Sequence, residues 1–222
     1  MNYTTLARQF VKGLIKRTEG TEFEPLRLHI LAQWIYESDH FRSKLATQFN
    51  NAGGMQYRKG YTGPHSKALY KDWQGKEKLH FLLESAEQYC DLYLWFIGRE
   101  HYKAVNNVPD VSVSGDFIIE LAFDGYVTDM KNPILNVHEM EKALGSVGLK
   151  EHALLLLCSG YGPEMTYKQA IPWNYLHRIQ SIANRPETLE LLRHEWTDKA
   201  ADLMGSKNDI VINGMPEYLR QD

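Results

Sequence analysis

LAQWIYESDHFRSKLA, residues 31–46, decides how this chain is read. Its first half is helical in pattern. Leu28, Leu31, Trp34 and Ile35 recur at three- and four-residue steps, and Pro25 suits the first turn of such a helix. The pattern stops at Glu37, because Ser38 to Arg42 are all polar or aromatic. Glu37 lies three residues after Trp34, on or beside the apolar stripe. Two explanations compete. The glutamate is a solvated helix end, or it is an acid held against a hydrophobic wall, where desolvation keeps it protonated. The spacing taken alone favours the solvated end.

Outward from this stretch the chain reads as mainly helical, of α+β class. Residues 2–18 form an amphipathic helix with Leu6, Phe10, Val11, Leu14 and Ile15 on one face. A short helix is expected near 43–47. Residues 50–80 change character, with two or three short strands around turns at Gly53–Gly54, Gly63–Pro64 and Gln74–Gly75. This segment is basic: Arg58, Lys59, Lys67, Lys71, Lys76 and Lys78 face only Asp72 and Glu77. Either it is a solvated face, or it attracts an anionic polymer. Ser85 is the expected N-cap of a helix that turns Tyr89, Leu92, Tyr93 and Phe96 inward. Segment 106–116 reads as a loop. Helices are expected at 116–123 and 136–144, and about three more after Gly148, broken near Gly160–Pro163 and Arg185–Pro186.

The bulk numbers narrow the class. A chain of 222 residues with 43% hydrophobic residues can bury a core without staples. A net charge of −3 argues against a dedicated nucleic-acid binder. Cys90 and Cys158 both sit in apolar runs and read as buried free thiols of a reducing compartment. The N-terminal residues carry no long apolar core of a signal peptide. The longest apolar run, Ala153–Cys158, is too short to enter a membrane as a span. HEMEK at 138–142 lacks the second histidine of a zinc motif, and LCSGYG lacks the leading glycine of a nucleophile elbow. No metal and no cofactor are expected.

A half-buried carboxylate at a helix end, followed by a polar β-rich segment, is the layout of a sugar-cleaving cleft. The motifs sharpen this. Leu31, Ala32, Gln33, Glu37 and Ser38, then Ser43, Leu45 and Ala46, then Asn50, Asn51 and Gly54 fall in one ordered pattern. A second pattern, Gly125-Tyr126-Val127-Thr128-Asp129-Met130, follows some ninety residues later. Together they resemble the glucosaminidase family of peptidoglycan hydrolases, glycoside hydrolase family 73, over roughly residues 25–145. SAEQYCDLYLWFIGREHYKAV between them is similar to that family's intervening helix and its exit.

The resemblance implies a lysozyme-like fold with a cleft between a helical lobe and a small β-lobe. The implied reaction cleaves the β-1,4 bond after N-acetylglucosamine. Glu37 is then the general acid, and Tyr126 orients the N-acetyl group or the water. The second carboxylate is Glu77, with Asp72 as runner-up, or the substrate's own acetamide takes its place. Ser38, Asn50, Asn51, Gly54, Tyr57, Trp73, Thr128 and Asp129 are the implied substrate contacts. The chain departs from the family where Asp39, His40 and Phe41 replace a common Gly-Trp-Gly, Ala52-Gly53 a Leu-Phe pair and Met130 a proline. Tyr57, Tyr61, Trp73 and His40 could restore stacking surface for sugars, or could equally pack the β-lobe.

The expected organisation is a catalytic domain at 1–148 and a helical C-terminal extension at 149–222. The extension either packs on the catalytic domain or docks a delivery or immunity partner. The expected substrate is the glycan strand of peptidoglycan, reached after delivery to the wall as by a phage lysin or an exported effector. No nucleic acid and no membrane insertion are expected. A lytic transglycosylase on the same fold and a non-catalytic wall-binding protein stay open.

Overall fold

The computed structural model describes residues 4–72, 75–102, 114–149 and 151–204. These fall into two compact units, Met1–Phe96 with Pro186–Asp222, and Ile97–Arg185.

The first unit begins with α1 (Thr5–Thr18), capped by Thr4, whose hydroxyl accepts from the Ala7 N–H at 3.3 Å. A 3-10 turn (Glu24–Leu26) with Pro25 in its first turn leads into α2 (Arg27–Glu37). Arg27 is fully buried and ties the two helices together. Its guanidinium donates to Thr18 Oγ1 at 2.6 Å, to the Ile15 carbonyl at 3.0 Å and to Glu24 at 3.1 Å. A buried cation needs such a full set of acceptors. The short α3 (Lys44–Phe49) is capped by Ser43. After the hairpin comes α4 (Ala86–Ile97), where Ser85 accepts from the Gln88 N–H at 3.2 Å. The core of this unit is aromatic. Trp34 packs edge-on against Phe10, Tyr89 and Tyr93, with ring centroids 5.1–6.0 Å apart.

The sheet is one antiparallel hairpin, β1 (Ser66–Lys71) and β2 (Glu77–Leu82), paired from Ser66↔Leu82 to Lys71↔Glu77. The free edge of β2 meets residues 55–57. A bridge joins Gln56 to His80, Tyr57 N–H donates to the Leu79 carbonyl at 2.8 Å, and Phe81 N–H to the Met55 carbonyl at 3.2 Å. The third expected strand is therefore a single bridge.

The second unit holds α5 (Ser114–Phe123), α6 (Val137–Ser146), α7 (His152–Gly160) and α8 (Tyr167–Ala183). α5 packs on α8, and α6 on both α7 and α8. Thr166 and Gln169 form a capping box at the start of α8. Buried Asn174 pins the 134 strap: it accepts from the Ile134 N–H at 2.9 Å and donates to its carbonyl at 3.0 Å.

Two expectations change. The break expected at 148 lies inside the second unit, because α5 and α8 bury their apolar faces on each other. The last helix, α9 (Pro186–Met204), belongs to the first unit, packed on α1 and α2. Residues 149–222 are thus not one appendage. Cys90 is buried as expected, but Cys158 is exposed. α7 turns only Ala153 and Leu157 inward, so its apolar run leaves Leu155, Leu156 and Cys158 outside.

Candidate functional site

The feature that singles out the end of α2 is its backbone. Asp39, His40 and Phe41 have φ of 50°, 59° and 59°, three consecutive left-handed residues with no glycine among them. For L-residues that conformation costs about 1–2 kcal/mol each. The surroundings impose it. Ser38 is fully buried, donates to the Trp34 carbonyl and accepts from the Phe41 N–H at 2.7 Å. His40 N–H reaches back to the Ile35 carbonyl at 2.8 Å, and Ser43 N–H to the Ser38 carbonyl at 2.9 Å. Phe41 is then driven into the core, 1% exposed and stacked on Phe10. The turn leaves Glu37 half-buried as the last residue of α2.

Tyr89 from α4 feels that carboxylate electrostatically. Its phenol is fully buried. Burial pushes its pKa well above the ordinary value, Tyr93, Cys90 and Glu37 add to the rise, and the Gly53 backbone opposes it. The Glu37 charge and the Gly53 backbone thus both act on this one phenol. Sequence reasoning took Tyr89 only as a core residue, since its helical spacing is that of any inward-facing aromatic. Gln33 is buried as well and accepts a hydrogen bond from Tyr93.

The 50–54 turn is built by its two asparagines. Asn50 caps α3 in the left-handed region at φ 48° and donates to the Leu83 carbonyl at 3.0 Å. Asn51 is fully buried. Its amide donates to the Met55 and Phe81 carbonyls at 2.9 and 3.1 Å, and its oxygen accepts from the Met55 N–H at 2.7 Å. Gly54 has φ 60°, which explains a glycine there. Ser38 and Asn51 correct the sequence expectation. A side chain with no surface and with its hydrogen bonds made internally holds the rim and does not touch a substrate. Asn50, Gly54 and Tyr57 keep partial exposure. Tyr57 belongs to an aromatic group with His65 and Phe81, centroids 5.7 and 5.3 Å away, and Tyr61 adds to it from beside His65 and Trp95.

Neither hairpin carboxylate lies at this base. Asp72 closes the hairpin turn: it accepts from the Lys76 N–H at 2.8 Å and stands 4.0 Å from Lys78 Nζ. Glu77 is exposed and pairs in register with Lys71. It lies four residue steps along β2 from Phe81, where Asn51 is bonded, about 13 Å along the strand. Trp73 lies outside the described residues, as do Gln74 of the expected turn and most of the 106–116 loop.

The second motif sits in the other unit, where it ends α5. Gly125, at φ 86°, donates to the Ala122 carbonyl at 3.1 Å and Tyr126 to the Leu121 carbonyl at 3.1 Å. This is a Schellman cap, and it gives Gly125-Tyr126 a structural reason. The Tyr126 ring is half-buried between Tyr102 and Tyr175, 6.2 Å from each. Asp129 accepts a hydrogen bond from Tyr167, whose pKa that bond raises. Thr128 is exposed and lines an open groove of 410 Å³ with Phe123, Val127, Tyr161, Lys168 and Pro172. Met130 is buried, and its N–H donates to the Tyr167 hydroxyl at 2.9 Å.

Among the described residues, no three His, Cys, Asp or Glu side chains converge as metal ligands, and no helix is long and apolar enough to cross a membrane. No protein-family model matches the chain, and no curated protein and no solved structure matches it either.

Proposed function

We propose that the protein is a peptidoglycan hydrolase, an endo-β-N-acetylglucosaminidase with Glu37 as its general acid. One observation carries this: a carboxylate at the end of a buried helix, presented by a left-handed turn of three non-glycine residues. Backbone strain of this kind collects at functional sites. A solvated helix end has no need of it. A leaving sugar oxygen requires a proton donor, and Glu37 closes a helix whose Ile30, Leu31, Trp34 and Ile35 are buried. The two ordered sequence motifs supply the substrate class. The half-exposed Tyr57 suits a sugar face.

A second reading, a lytic transglycosylase, gains from the hairpin. That reaction needs one acid and no activated water, and here Asp72 closes a turn while Glu77 sits at the hairpin tip. The same holds for a hydrolase whose substrate acetamide serves as nucleophile. Turbidity loss of purified sacculi tests the proposal. Wild-type protein clears them and Glu37→Gln, folded as judged by circular dichroism, does not. Full clearing by that variant overturns the assignment. Binding to sacculi with no released sugar by the wild type leaves a wall-binding protein.

A further inference from the structure

The hairpin has two different faces. Tyr70 turns to one of them, 6.2 Å from Phe49 and 5.4 Å from the buried His80, so that side is packed. By strand alternation Lys67, Leu69 and Lys71 share the other, opposite Phe81, Leu79 and Glu77. At its base this second face is also covered. Phe81 is buried under Tyr57 and Tyr61, and the Lys67 ammonium rests 4.9 Å over the Tyr57 ring. One step further out the core ends. Leu69 and Leu79 stand directly across from each other, 64% and 40% exposed. Threonine favours the strand as well, so the fold does not call for a leucine pair on a solvent face. Lysines flank them at 67 and 71, and Lys76 follows in the turn. On this face Lys67 and Lys71 stand against Glu77, while Lys78, paired with Tyr70, turns to the packed side near Asp72.

We infer that this face docks on an anionic phospholipid surface. The occupant follows from the combination. A hydrated glycan or polyanion would use the lysines and leave both leucines wet. An apolar protein groove would take the leucines and strand the lysines. A bilayer carrying acidic headgroups accepts both, ammonium groups at the phosphates and leucine side chains just below them. Attachment is peripheral, through a hairpin and not a span. It is independent of the glycosidase assignment, so loss of vesicle binding and loss of wall lysis report on different proposals.

The test is sedimentation of the full chain with large vesicles of phosphatidylcholine, alone or mixed with an equal part of phosphatidylglycerol. Partition onto the acidic vesicles is expected to be roughly tenfold stronger, and to weaken with added salt. The double variant Leu69→Thr/Leu79→Thr keeps two strand-forming residues. It is expected to melt like the wild type and to bind both kinds of vesicle at least severalfold more weakly. Lys67→Gln/Lys71→Gln is expected to lose the preference for acidic lipid. Equal binding of wild type to both vesicles, undiminished binding by the leucine variant, or binding to sacculi alone with vesicles ignored, each overturns the inference.

Discussion

Phe41 stacks on Phe10, ring centroids 5.1 Å apart and planes 26° from parallel, although its own backbone is left-handed. The stack explains how an unfavourable turn survives. Burying the Phe41 ring offsets the conformational cost of residues 39–41. Phe41→Ala is therefore expected to lower stability by about 3–5 kcal/mol, read as a shift in the urea midpoint. A loss under about 1 kcal/mol would mean the ring does not anchor the turn.

Asp39→Gly probes the strain from the other side. Glycine adopts the left-handed region freely, which recovers about 1–2 kcal/mol, while its looser unfolded chain gives back about 0.4–1 kcal/mol. The lost ion pair with Arg42 is on the surface, with side chains 69% and 62% exposed, and is worth little. The melting temperature is expected to hold or rise. A clear fall would show that Asp39 is not strained.

Asn51→Ala removes three hydrogen bonds from a fully buried position and leaves peptide groups of Met55 and Phe81 without those partners. The expected loss is about 2–3 kcal/mol. It should appear in stability first, since Asn51 holds the hairpin base and offers no surface to a ligand. A variant of native stability that binds sacculi poorly would restore Asn51 as a substrate contact.

Much of this architecture was legible in the sequence. Period and caps gave α2 ending at Glu37, a short helix near 43–47, Ser85 as an N-cap, and short strands within 50–80, because those signals are local. What was not legible depends on tertiary contacts. Asn50 and Asn51 look alike in sequence, yet one caps a helix and the other is a buried clamp. Cys158 follows four leucines, and only the packing of α7 shows that its face points outward. The strain at 39–41 carries no sequence signature, since Asp, His and Phe there suggest only an ordinary helix exit. The boundary at 148 followed where the motifs stop, whereas α5 and α8 are joined by packing.

Acid should weaken the first unit through His80. This side chain is 5% exposed, and burial pushes its pKa below 6.5, the Lys78 and Asp72 influences being smaller. The unfolded chain then binds the proton more readily than the folded one. Stability is full above 6.5, falls as pH drops from there to the folded value, and levels off below it. His80→Phe keeps an aromatic partner for Tyr70 and is expected to flatten that slope in pH-dependent urea unfolding. His177 is also lowered by burial and leaves a residual slope. An unchanged profile in the variant would remove His80 as a source.

The number of carboxylates needed for the proposed reaction is open to direct test. Glu37→Gln is expected to reduce sacculus clearing at least a hundredfold, the scale of a lost general acid. Glu77→Gln is expected to retain most activity, because the residue is exposed and lies about 13 Å along β2 from the hairpin base. Asp72→Asn keeps an oxygen for the Lys76 N–H and is expected to behave likewise. If either hairpin variant loses as much as Glu37→Gln, a two-carboxylate mechanism returns and the hairpin tip must reach the acid. Mass spectrometry of the products then separates the one-acid routes. Reducing N-acetylglucosamine ends mark hydrolysis with help from the substrate acetamide, and anhydro-muramoyl ends mark transglycosylation.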